Sequence, residues 1–178
     1  MLYSACKQYL LAKLKGTGLK SNPYTTQKAL TKSLESHVGA VLFYSETYSR
    51  NGSKKRFIGQ EGAKHKRRKV FDRTLSFTVT IGDYTDEAVE VLFETFIASL
   101  DAGIYVDGNF VPIEVEEADW VDSDDSLLKA KVAVQVKINF QGGVYRDTGF
   151  APVSEVDISS VCLLYTSPSP RDRQKSRM

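Results

Sequence analysis

The chain has 178 residues, 42% hydrophobic and 26% charged, with a formal net charge of +2 and two cysteines. That length suits one domain and buries roughly 68–70% of the unfolded surface, so the fold requires no metal or disulfide staple. The N-terminal apolar runs are short and broken by Lys7, Lys13 and Lys15, which argues against a signal peptide and a membrane span.

Taken in order, Leu2, Cys6, Tyr9, Leu10 and Leu14 recur at near-helical spacing and predict an amphipathic helix over 2–14, ended by Gly16 and Gly18. Cys6 reads as a small core residue, because no activating neighbour is identifiable. After Pro23, Ala29, Leu30 and Leu34 allow a further turn or two of helix within 21–36. The apolar run VGAVLFY, Val38 to Tyr44, has the length of a buried strand, and Asn51-Gly52 is a hairpin signal. A strand through Lys55, Phe57 and Ile58 is predicted to pair back onto it. Gly59, Gly62 and the run KHKRRK (64–69) then read as a long basic connection, functional or mobile rather than core.

From Phe71 the odd positions Leu75, Phe77, Val79 and Ile81 are apolar and the even ones polar, the period of a half-buried strand. Between Thr85 and Asp101 the period changes: Val89, Leu92, Phe93, Phe96 and Leu100 form a helical stripe opposite Glu87, Glu90 and Glu94. Thr85 is the expected N-cap, Asp86 and Glu87 suit the positive end of the dipole, and Gly103 is the expected stop. Asp107-Gly108 signals a hairpin between 104–106 and 110–115, with Pro112 at an edge or bulge. Apolar phase moves from Val111, Ile113 and Val115 to Ala118 and Trp120, which predicts a bulge at Glu116-Glu117. An acidic turn over 122–126 precedes the alternating strand from Ala130 to Phe140. Gly142-Gly143 is expected to end it, leaving 144–161 as a loose arm. The fold class this predicts is α+β: a mainly antiparallel β-sheet with helices packed on one face, in a single domain over 1–161.

Residues 162–178, CLLYTSPSPRDRQKSRM, resemble a translated sequencing-library adapter. They are set apart from fold reasoning as a non-native tail, which leaves the native C-terminus undefined. The tail holds four of the 24 basic and one of the 22 acidic side chains, so the other 161 residues carry 20 basic and 21 acidic, net −1. With Cys162 set aside, Cys6 stands alone. No disulfide or cysteine metal site is then expected within one chain, which fits an intracellular, reducing site of folding.

Catalytic patterns are missing. There is no GxSxG, no phosphate loop, no HExxH, no CxxC and no Glu-x-Lys of a restriction-like nuclease. Gly16-Thr17-Gly18 is too short for a dinucleotide fingerprint. His37 and His65 lack an identifiable orienting partner, as a general base requires. Asp119, Asp122, Asp124 and Asp125 lack the glycine and glutamate of an EF-hand and read as a solvated turn. No catalytic residue, metal or cofactor is therefore expected.

Charge is segregated instead: residues 1–82 hold 16 Lys or Arg against 4 acids, whereas 83–128 hold 14 acids and no Lys, Arg or His. Both sets can be solvated and interleave in space. Alternatively, Lys54, Lys55, Arg56, Lys64, Lys66, Arg67, Arg68 and Lys69 bind nucleic-acid phosphates. In a third reading those cations meet Glu116, Glu117, Asp119, Asp122, Asp124 and Asp125 of a neighbouring copy in a head-to-tail contact.

The order of elements is N-terminal helix, VGAVLFY, basic hairpin, RTLSFTVTI, DEAVEVLFETFIASL, the DG hairpin, EADWVD and LKAKVAVQVKINF. Across residues 1–161 it resembles the tail terminator, or tail completion, proteins of tailed phages. The resemblance rests on element order, length and strand chemistry, and related head-tail joining proteins share much of it. It implies an α+β subunit without enzymatic activity that assembles into a ring, typically of six. Such a ring caps the tail tube and meets the head-side connector, without membrane contact, in the host cytoplasm during assembly and then in the virion. The long basic hairpin departs from the shortest members.

Overall fold

In the computed structural model, which describes residues 1–33, 35–58, 64–122 and 132–149, with backbone alone for 54–58, 64, 65 and 122, the first stripe builds a helix. Leu2, Cys6, Leu10 and Leu14 are the buried face of α1 (Leu2–Gly16). Thr17 closes it by returning its N–H and hydroxyl to the Leu14 carbonyl, and Gly18 turns the chain at φ +96. A second, short helix, α2 (Gln27–Lys32), is capped by Thr26, whose Oγ1 accepts the Ala29 N–H at 3.3 Å. Leu34 lies outside the described residues.

The strands are β1 (Val38–Arg50), β2 (Lys54–Ile58), β3 (Lys64–Asp83), β4 (Gly103–Val106), β5 (Asn109–Asp122) and β6 (Val132–Gly149), with helix α3 (Asp86–Ser99) between β3 and β4. They pair antiparallel in the order β1-β3-β6-β5-β4, and β2 joins β3 beyond the end of β1. The class is the expected α+β: an antiparallel sheet of five strands, extended by β2, with three helices packed against it.

Residues paired across the sheet share a face, so the rows Val41–Val79–Val136–Ala118 and Phe43–Phe77–Ile138–Val115 define one side. On it sit α1 and α3, burying Cys6, Leu10, Val89 and Phe96 against Phe77 and Phe140, whose rings meet edge-on at 5.9 Å. Burying Phe96 alone contributes about 1.5–3 kcal/mol. The two helices are tied together at one point: Tyr9 donates its hydroxyl to Asp101 Oδ2 at 3.0 Å, and Lys13 Nζ reaches the Ser99 carbonyl at 2.6 Å and Asp101 at 2.9 Å. The small α2 lies on the opposite side, where Leu30 covers Val38, Ala40 and Ala133. Expecting every helix on one face therefore holds for α1 and α3, while α2 covers a corner of the other face. Next to that corner the face is polar, with Ser76 Oγ donating to Asn139 Oδ1 at 2.6 Å and Asn139 Nδ2 donating to Glu116.

Several local expectations are met. Thr85 Oγ1 caps α3 by accepting the Ala88 N–H, Asp107 and Gly108 take positive φ in the β4–β5 turn, and β5 bulges between Val115 and Ala118. Val115, Ala118 and Trp120 consequently stay on the helix face.

Others are corrected. Leu100, in extended conformation, ends α3; Gly103 lies in β4, where a Cβ would run into the Phe110 ring and the Val111 carbonyl. The strand after Asn51-Gly52 pairs with β3, not β1: Arg50 opposes Phe71 and Lys54 opposes Arg68. Asn51 to Ser53 are thus a break in one long edge, held by the Asn51 N–H on the Val70 carbonyl at 2.9 Å. Gly142 and Gly143 do not end β6, which continues to Gly149 against β3. The first six residues of the expected loose arm, 144–149, are therefore strand. Glycines suit these positions because a Cβ on Gly142 would collide with Leu2, and one on Gly143 with Lys69.

Candidate functional site

The basic run predicted as a connection is strand. Rows Lys54–Arg68–Arg146, Lys55–Arg67–Asp147 and Arg56–Lys66–Thr148 form a three-stranded arm of β2, β3 and β6, past the rows that α1 and α3 cover. Alternation along β3 puts Lys66 and Arg68 on one face, and the register sets Arg146 beside Arg68, so three cations share that face. Lys64 pairs with Ile58 at the start of β3.

In the intervening row Arg67 is neutralised within the chain. It grips Asp147 with two parallel bonds of 2.8 Å, donates to the Asp107 carbonyl at 3.1 Å and lies 5.6 Å from the centre of the Tyr145 ring. The Asp147 carboxylate accordingly raises the pKa of the guanidinium. Lys69 is tied to Asp72 at 2.6 Å, and Arg73 to Glu46. Hydrogen bonds from Tyr48 and then Arg73 hold the Glu46 carboxyl below the usual carboxylate range.

The acidic set spreads along β5. Glu116 pairs with Lys137 at 2.7 Å, so the ammonium and the Asn139 amide depress its pKa. Glu117 and Asp119 are exposed. Asp122 ends the strand, and Asp124 and Asp125 lie outside the described residues. Cations of β1–β2 and acids of β5 thus lie on opposite sides of the central β3–β6 pair. Trp120 lies beside α3 with its ring edge-on to Phe93 at 6.4 Å, and is 48% exposed.

A cleft of about 460 Å³ opens where β5 leaves β6, lined by Leu2, Tyr3, Arg67, Arg73, Asn109 and Tyr145 among others. Its two guanidiniums already hold Asp147 and Glu46. His37 does have an orienting carboxylate, Asp83 at 2.8 Å, but its Nε2 accepts the Lys20 N–H at 3.2 Å, so both ring nitrogens serve the fold. Cys6 is fully buried, and burial pushes its thiol up to about 12, the reverse of an activated nucleophile. Among the described residues no cluster of His, Cys, Asp or Glu is placed to hold a metal, and no helix is long and apolar enough to cross a membrane.

Sequence reasoning missed Arg146 and Asp147, both inside the stretch read as a loose arm. Paired strands that lack a covered face carry no apolar alternation, so no signal marked them. No protein-family model matches the chain, and no curated protein matches it.

Proposed function

We propose that this chain is a structural subunit of a tailed-phage virion, forming a head-to-tail ring that caps the tail tube and joins it to the head-side connector. The observation that carries this reading is the placement of opposite charge on opposite sides of the central β3–β6 pair. Arg50 and the β2 residues Lys54, Lys55 and Arg56 mark one outer strand; Glu114, Glu116, Glu117 and Asp119 mark β5. A surface that complements a different surface of the same molecule generates a ring when the rotation closes. The element order described above supplies the tail context. Imaging particles assembled without this chain tests it. The expected result is tails of unregulated length that bear no head, restored by adding the wild-type protein; normal, head-bearing tails would overturn the reading.

A second reading is favoured by the face of the arm that carries Lys66, Arg68 and Arg146, which suits a phosphate backbone. It predicts DNA binding that falls steeply with salt and is lost on Lys66→Glu with Arg68→Glu. Rings that form normally in that double variant, beside abolished DNA binding, would assign the arm to nucleic acid and the β1 and β5 edges to assembly.

A further inference from the structure

We propose that neighbouring subunits join by main-chain pairing: the outer edge of β5 in one copy adds to the outer edge of β1 in the next, making one continuous antiparallel sheet around the ring. This rests on the ring reading above and names the surface that closes it.

Among the described residues each edge is bare over part of its length. The segment at Tyr24 covers the start of β1, exchanging bonds of 2.8 Å with the Gly39 carbonyl and the Val41 N–H, and the edge beyond Phe43 pairs with no strand. Gly39 and Val41 therefore point outward. Following the antiparallel alternation through the bulge at Tyr44 turns the N–H groups of Glu46, Tyr48 and Arg50 outward too, in keeping with the inward Asn51 N–H on Val70. On β5, β4 reaches only to Pro112, and the Ile113 N–H reaches outward to the Ala102 carbonyl. Past it, the main-chain N–H groups of Val115 and, after the bulge, of Ala118 and Trp120 face outward. Unsatisfied edge groups of this kind are templates for another strand.

Direction, charge and apolar surface agree on a second copy as the occupant. Three antiparallel steps separate β1 from β5, so they run oppositely, and Glu46 and Ile113 share one row; a copy set beside the first and shifted along the strands therefore brings 46–50 of its β1 antiparallel to 115–122 of the first copy's β5 without inversion. Joining β5 to β5 would set Glu114, Glu117 and Asp119 against themselves; β5 against β1 sets acids near Arg50 and β2. Each edge also exposes large apolar side chains on the helix face, Phe43 and Tyr48 on one, Val115 and Trp120 on the other.

The test removes single outward N–H groups. Tyr48→Pro blocks the β1 edge, with Tyr48→Ala as the control for the lost ring, and Ala118→Pro blocks the β5 edge. Mass by light scattering should show wild type and Tyr48→Ala as rings and each proline variant as a monomer. A one-to-one mixture of the proline variants should give a dimer and nothing larger, because one intact junction remains. Rings that either proline variant forms by itself would overturn the edge pairing and leave the ring reading standing; a wild-type chain that stays monomeric would sink both. Hydrogen exchange of the wild-type protein decides the matter if a proline variant does not fold. Exchange in 46–50 and 114–122 should slow on assembly, and unchanged exchange there overturns the pairing.

Discussion

Gly142, in the middle of β6, lies directly beneath Leu2 in the first turn of α1, with no room for a Cβ between them. The strand that sequence reading would stop at this glycine is the strand that seats the helix. Because the obstacle is the far end of one leucine at a helix start, Gly142→Ala should cost only about 1 kcal/mol. At Gly103 the obstacle includes the Val111 carbonyl at 2.6 Å, which is backbone. Gly103→Ala should therefore cost more, about 2–3 kcal/mol. Denaturant midpoints of the two variants measure the order; equal losses would refute it.

Phe96 is fully buried between α3 and the sheet, whereas Val91 on the same helix is 63% exposed. Phe96→Ala should destabilise by about 3–5 kcal/mol, and Val91→Ala by no more than about 0.5 kcal/mol. Urea unfolding separates the two, and a mild Phe96→Ala would mean that α3 does not cover the core.

The Cys6 thiol, with its pKa pushed up to about 12 by burial, should not react with a thiol reagent in the native protein at neutral pH. With Cys162→Ser in place, labelling should appear only on adding denaturant, at the rate of unfolding. Rapid labelling of the folded chain would show that the face between α1 and the sheet opens.

Asp72, Asp101 and Glu116 are each held below the usual carboxylate range, by Lys69, Lys13 and Lys137 respectively before any other cause. A depressed folded pKa means that the unfolded chain takes up protons first. The stabilisation is complete above the unfolded value of about 4 and fades as pH falls through the folded values. All three groups are exposed, so each contribution is small. Unfolding midpoints measured from about pH 6 to pH 2 should fall, and the slope should be shallower in the triple variant Asp72→Asn, Asp101→Asn, Glu116→Gln. Identical slopes would show that these pairs do not persist in solution.

What was legible in the sequence follows what is covered in the fold. Leu75 to Ile81 and Val134 to Phe140 alternate because α1 and α3 bury one side of those rows, and the α3 stripe is periodic for the same reason. Past the helices the buried apolar cluster does not continue among the described residues, so KHKRRK and 144–149 lost their strand signature. Asn51-Gly52 has the chemistry of a tight turn, yet its neighbours on both sides find partners on β3, and the longer ladder prevails. Charge segregation was visible, but its neutralisation was not: Arg67 meets Asp147 across 80 positions.

The ladder between β3 and β6 also dictates how the chain must reach its structure. Its nearest pair, Asp83 with Val132, is 49 positions apart, and its farthest, His65 with Gly149, is 84. By contrast, the β4–β5 hairpin closes over two residues. Loop closure makes distant pairing slow, so the hairpin and α3 are expected to form within microseconds and the central ladder on a scale of roughly milliseconds to seconds. Until that ladder closes, β3 and β6 are themselves bare strands, and a nascent chain meeting another copy in that interval is at risk of exchanging them.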